Sequence, residues 1–192
     1  RKDDPSAALA TCNDCHDTHT FDIPPKASAA FEEWRLKSPA LCGESCHDEA
    51  LEFYAESVHG KAVLEEKDPK GAVCSDCHTA HAVLPASDTR STVHPLNVPG
   101  TCGGCHGDAD YMAGYGIPTD QFDKFAKSVH GVALLENEDT GAPACNDCHG
   151  NHGATPPGVA SIAQVCGHCH VNNMQYFTES RMGRAFAEEG FH

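Results

Sequence analysis

The chain has 192 residues, of which 40% are hydrophobic, and it carries a formal charge of −15 together with 12 cysteines, 14 histidines and 12 prolines. That acidity argues against phosphate backbones and anionic lipid surfaces as partners, and no window approaches the roughly 20 apolar residues of a membrane-spanning helix. The cysteine count leaves three uses open, namely a disulfide scaffold, metal sites or covalent cofactor attachment, and spacing has to separate them.

In chain order, the opening Arg1-Lys2-Asp3-Asp4-Pro5 has no apolar stretch and reads as a mature end left after export. A first motif, Cys12-Asn13-Asp14-Cys15-His16, continues through Asp17-Thr18-His19. After the Pro24-Pro25 break, the spacing of Phe31, Trp34 and Leu36 predicts an amphipathic helix over residues 26–37. The second motif, Cys42-Gly43-Glu44-Ser45-Cys46-His47, has one extra residue between its thiols, which is expected to bulge out at Gly43. Asp48 is then placed to cap a helix through Leu51, Tyr54, Val58, Ala62 and Leu64, with His59 inside it in Ser57-Val58-His59-Gly60.

The third motif is Cys74-Ser75-Asp76-Cys77-His78-Thr79-Ala80-His81, followed by a Pro/Ser-rich loop over residues 84–100 that holds His94. The fourth is Cys102-Gly103-Gly104-Cys105-His106, and a second helix, with His130 in Ser128-Val129-His130-Gly131, is expected over residues 119–137. The fifth, Cys145-Asn146-Asp147-Cys148-His149, runs on to His152. The sixth, Cys166-Gly167-His168-Cys169-His170, precedes a third helix ending near Glu189.

All twelve cysteines thus fall into six close pairs, each followed at once by histidine. A disulfide framework has no reason to place histidine there, and a zinc ribbon takes its fourth ligand from elsewhere. Cys-x-x-Cys-His is the attachment pattern of c-type haem, in which two thiols add to the vinyl groups and the histidine becomes an axial iron ligand. Six covalently bound c-type haems are the expectation, with disulfides or metal sites as the alternatives. Haem attachment of this kind follows export, so an extracytoplasmic location, periplasmic or at the cell surface, is expected.

The motifs resolve into an internal repeat. A plain site followed by a Ser-x-His-Gly helix alternates with a Cys-His-x-x-His site followed by a Pro/Gly loop. Residues 42–101 (second and third haems) and 102–165 (fourth and fifth) form full units. Residues 1–41 (first haem) and 166–192 (sixth) are half-units, and all four segments are expected to share one haem-packed domain. No strand pattern occurs, so the predicted fold is mainly α with extensive loops around a haem core.

His16, His47, His78, His106, His149 and His170 are the proximal ligands by position. For the distal sides, the recurrent contexts nominate His59 and His130 on helices and His19, His81 and His152 in the Cys-His-x-x-His runs. A ring three residues past a proximal histidine lies on the same side of that porphyrin, so each of the last three is expected to serve a neighbouring haem. The glycine after His59 and His130 is expected to let a flat macrocycle approach the backbone. His94 is the sixth candidate. His192 and Met182 are alternatives, the latter replacing histidine in Glu179-Ser180-Arg181-Met182-Gly183, where ordinary packing competes with ligation.

With these residues in view, the chain resembles the multihaem c-type cytochromes of respiratory electron transfer, especially those with Cys-His-x-x-His and Ser-x-His-Gly motifs. The resemblance implies bis-histidine ligation, closely stacked haems, and redox proteins or extracellular acceptors as partners. At 32 residues per haem, the density is similar to that of small electron conduits and of cytochromes that polymerise into filaments. A carrier or conduit rather than an enzyme is expected, with assembly into a homopolymer as a subclass. The alternative is a multihaem reductase of a small oxyanion with one exchangeable haem.

Overall fold

Proline and glycine punctuate the chain so often that no regular helix among the described residues exceeds 9 residues. Helices this short are unstable alone and form because neighbours cover them. The computed structural model describes residues 10–17, 19–158 and 161–189; His192 and the first nine residues lie outside that range. As expected, the fold is mainly helical with extensive loops, and the described residues contain no strand.

Two compact units divide the chain, residues 1–81 and 82–192. The division falls inside the expected repeat over 42–101, because the loop after His81 folds with the motif that follows it. Thr101 Oγ1 donates to the Thr92 carbonyl at 2.7 Å. Asn97 Nδ2 donates to the Thr89 and Ser91 carbonyls at 2.9 and 2.8 Å.

The first unit contains α1 (Cys12–Cys15), α2 (Ala29–Leu36), α3 (Ser38–Cys46), α4 (Asp48–Glu56), α5 (Val58–Gly60) and α6 (Cys74–His78). Ser28 sets the start of α2 by accepting from Phe31 N at 3.2 Å, which is why the helix begins inside the predicted 26–37 window. Tyr54, Val63 and Val73 form a small buried cluster, with Leu36, Leu51 and Leu64 against it.

The second unit contains α7 (Val98–His106), α8 (Gln121–Ala126), α9 (Val129–Gly131), α10 (Cys145–His149), α11 (Ile162–Gly167), α12 (Val171–Glu179) and α13 (Arg181–Glu189). Its cluster repeats the first: Val98, Leu134 and Ala144 are buried, with Leu96, Phe125 and Leu135 around them. In both units a wide turn follows the short histidine-bearing helix, closed by Glu66 N donating to Lys61 O and Asn137 N donating to Val132 O, each at 3.1 Å.

Each of the three long helices expected from apolar periodicity is instead broken at a serine. Ser57, Ser128 and Ser180 have extended backbones, and each side chain caps a new helix by accepting from the N–H of Gly60, Gly131 or Gly183 at 2.8, 3.0 and 3.0 Å. His59, His130 and Met182 therefore sit in the first turn of a new helix, beside the corner.

The glycine after each of these residues has a reason within the chain itself. A Cβ at Gly60, Gly131 or Gly183 would lie 1.8, 1.9 or 2.0 Å from the carbonyl oxygen of Tyr54, Phe125 or Phe177. The two helices meet so tightly that only glycine fits, whatever approaches the histidine.

Little apolar surface is hidden by the chain itself. The accessible surface is 13360 Å², whereas two separate compact bodies of half this mass would expose about 10,600 Å² together. Exposed apolar side chains flank the histidines: Val58 beside His59, Val129 (81% exposed) beside His130, and Val171 beside His170.

Replacing Gly131 by Ala is expected to force the α8–α9 corner apart and destabilise the protein by about 1–3 kcal/mol. Ser128→Ala, which removes only the cap, should cost about 1 kcal/mol. Denaturant unfolding followed by far-UV circular dichroism measures both, and the glycine variant should be the more damaged.

Candidate functional site

The six motifs are built in two ways. In the first, third and fifth, an aspartate stands before the second cysteine, in the first turn of a short helix. Its carboxylate accepts from the backbone N–H just ahead of the first cysteine: Asp14 from Thr11 at 2.6 Å, Asp76 from Val73 at 2.7 Å and Asp147 from Ala144 at 2.7 Å. These bonds pin the start of each helix. Hydrogen bonds from Thr11 hold the Asp14 carboxyl below its ordinary range.

In the second, fourth and sixth motifs, glycine follows the first cysteine. A Cβ at Gly43, Gly103 or Gly167 would come within 2.5 Å of Leu51, 3.0 Å of Phe122 or 2.1 Å of Met174. Each contact belongs to the next long helix, α4, α8 or α12, which is thereby laid directly over the motif. The extra residue of the second motif does not bulge. α3 runs unbroken through Cys42 and Cys46, which at i and i+4 share a helical face, and His47 departs from helical geometry as its C-cap.

The cysteines are all free thiols. Within the first unit, Cys42 and Cys74 are hydrogen-bonded through their side chains, and Cys15 lies in the field of Cys42 and Cys46. Within the second, Cys102 and Cys145 are hydrogen-bonded in the same register, and Cys148 lies in the field of Cys166 and Cys169. Burial pushes Cys74 up to about 11, while the hydrogen bond from Cys102 brings Cys145 down to about 7.

Of the proximal candidates, His16, His78 and His106 are half-buried, whereas His47, His149 and His170 are exposed. Burial, aided by the nearby His149, lowers the affinity of His106 for a proton and favours its neutral form. Two of the distal candidates meet a proximal one. The His81 ring lies 6.0 Å from that of His16, and the His130 ring 5.9 Å from that of His170, centroid to centroid. His81 is thus brought to the first motif of the chain.

His59 is half-buried, and His19, His152 and His168 are exposed. His94 differs from the other candidates in being 7% exposed, with its Nδ1 accepting from Leu96 N at 3.3 Å, so the ring is turned into its own loop. Met182 is 71% exposed and has no packing role that would account for its position.

Several supporting residues escaped the sequence reading. Arg35 on α2 pairs with Asp76 and donates to the Pro69 carbonyl and, at 3.3 Å, to the Gly71 carbonyl, holding the third motif against α2. The Tyr54 hydroxyl donates to the Ala72 carbonyl at 2.8 Å, and burial raises its pKa. The aspartates had a visible signal, since Cys-x-Asp-Cys-His occurs in three motifs. Arg35 had none.

Among the described residues, two buried polar atoms stand without a partner, Thr79 Oγ1 directly after His78 and Asn146 Oδ1 inside the fifth motif. Such an atom costs about 1–3 kcal/mol unless something satisfies it. A cavity of about 240 Å³ lies against Cys169 and His170, and another of about 550 Å³ lies against Gly103 and Gly104 of the fourth motif. Among the described residues, no three His, Cys, Asp or Glu side chains converge as a bare metal ion would need. The sequence matches no protein-family model, and neither curated proteins nor solved structures match it.

Removal of the Arg35 guanidinium by Arg35→Ala is expected to loosen the third motif at a cost of about 1–2 kcal/mol, because three hydrogen bonds from a mostly buried cation are lost. Arg35→Lys, a point charge without the planar fork, should recover only part of that. Urea unfolding midpoints of the two variants give the comparison.

Proposed function

We propose that the chain is an electron-transfer protein of the multihaem c-type cytochrome class, carrying six covalently attached haems. The observation that carries the reading is the juxtaposition of motifs within each unit: the helices bearing the first and second, the second and third, and the fourth and fifth motifs pack against one another, and Cys148 of the fifth lies in the field of Cys166 and Cys169 of the sixth. Cofactors held at those thiols would lie in immediate succession. Bound there, they would supply one-electron redox chemistry at closely spaced irons.

The residues fit such groups. Paired thiols are unpaired with one another as disulfides and are followed by imidazole in every motif. Thr79 Oγ1 and Asn146 Oδ1 are polar atoms in want of a partner at two motifs. The apolar side chains beside His59, His130 and His170 present the kind of surface that a macrocycle covers. Imidazole is a suitable axial ligand when neutral, and His106 is held in that form.

A carrier without its own substrate is the reading that this ligand supply supports. Assembly of copies into a filament is a second reading, favoured by one observation. Met182 occupies the corner position that carries histidine twice elsewhere, yet it is 71% exposed, so its thioether faces outward rather than into its own unit.

Intact-mass measurement of the exported protein should show one haem for every Cys-pair motif, and the ferric spectrum should be low-spin throughout. A shortfall in haem would overturn the cofactor reading. A substantial high-spin fraction that shifts on adding cyanide or nitrite would favour a reductase. A monodisperse monomer at high concentration, without fibres by electron microscopy, would remove the filament.

A further inference from the structure

Two histidine pairs come together in space, something that sequence spacing alone leaves open. In the first unit, His16 and His81 stand 65 positions apart in the chain, yet their rings are 6.0 Å apart with planes 31° from parallel. In the second, His130 and His170 are 5.9 Å apart at 30°. An iron held between two imidazole nitrogens at about 2 Å from each puts the ring centroids about 6 Å apart.

Ordinary aromatic contact covers the same distance range, so its usual causes need checking. Packing would bury the rings. His16 does pack against aromatic rings, Phe21 at 6.1 Å and Trp34 at 6.4 Å, yet His81 and His170 are exposed, and His16 and His130 only half-buried. Among the described residues, no hydrogen bond joins the two rings of either pair. Each pair also combines one histidine that follows a cysteine pair with one that does not, which is the composition of a proximal and distal set.

The ligand count points the same way. A bare zinc ion takes three or four protein ligands, and no such convergence exists among the described residues. A planar macrocycle fills four positions itself and asks the protein for two. Two is what each pair offers.

We propose that His81 is the axial partner of His16 at the first motif, and that His130 is the axial partner of His170 at the sixth. The assignment rests on the multihaem reading above and deepens it. It makes the run Cys74–His81 hold two cofactors, its own through Cys74, Cys77 and His78 and the first through His81. Likewise, α9, which follows the fourth motif, supplies the sixth. Trp34, stacked 6.4 Å from His16 at 12°, backs the first pair and keeps that imidazole oriented.

The test counts low-spin haems per chain in ferric protein carrying His16→Gly, His81→Gly and both substitutions. If the residues share one iron, each single variant loses one low-spin haem and the double variant still loses only one. If they serve different irons, the double variant loses two, which overturns the assignment. The His130→Gly and His170→Gly set is read in the same way. The count is valid whether a variant retains its haem in a high-spin state or fails to attach it.

Should any variant fail to accumulate, an iron anomalous map of wild-type crystals decides the matter. Iron between the two rings of each pair supports the proposal, and iron bound to only one ring of a pair refutes it. Failure of the underlying reading is distinguishable from either result, because wild-type protein would then contain no covalent haem to count.

Discussion

Apolar burial is the constraint on which the rest of this structure turns. Seven hydrophobic side chains are buried among the described residues, in two clusters of three and an isolated Met112. Fully burying a valine or leucine contributes about 1.5–3 kcal/mol, and such a set is small against the backbone entropy of a chain this long. Local devices accordingly recur wherever the chain turns: a serine that caps a corner, an aspartate that caps a motif, an arginine that holds a loop to a helix. Part of the apolar surface left over, at Val58, Val129 and Val171, lies beside His59, His130 and His170.

The same shortage accounts for the two kinds of motif. A motif in a loop, such as Cys74–His78, has its start fixed by Asp76, with Arg35 of α2 holding Asp76 in turn. A motif at the end of a helix, such as Cys102–His106, is covered by the helix that follows, and glycine is what permits that helix to approach. The alternation seen in the sequence as Cys-His-x-x-His against Ser-x-His-Gly is therefore an alternation of supports. One kind is held from within by a hydrogen bond, the other from above by packing.

Helical content and motif positions were legible because spacing carries them: cysteine pairs with an adjacent histidine at six places, and apolar residues at helical intervals between them. The corners were not. Apolar periodicity continues across Ser57, Ser128 and Ser180, and a serine in mid-pattern gives no sign that its hydroxyl will cap a new helix instead of facing solvent. Gly60 is legible as a point of close approach, but the neighbour that the chain itself supplies, the carbonyl of Tyr54, is set by a corner that local pattern does not show. The extra residue in the second motif was expected to bulge, yet a four-residue step is itself a helical repeat, and α3 absorbs it without distortion. Ligand partners depend on contacts between residues dozens of positions apart, about which local pattern is silent.

Under the proposed pairing, ligation would do more for the chain than tune its irons. Joining His16 to His81 closes a loop of 65 residues, and the chain-entropy relation gives about 4 kcal/mol for a cross-link of that span, with a similar value for His130 and His170. Each figure is of the order of what two fully buried leucines contribute. The first unit would then be fastened at its ends through an iron and in its middle by the Tyr54 cluster; the second would be fastened from α9 to the sixth motif in the same manner. A protein built on this plan gains its tertiary structure together with its cofactors. The positions that matter most for folding would then be the same imidazoles that set the redox chemistry, and so small an apolar core would suffice.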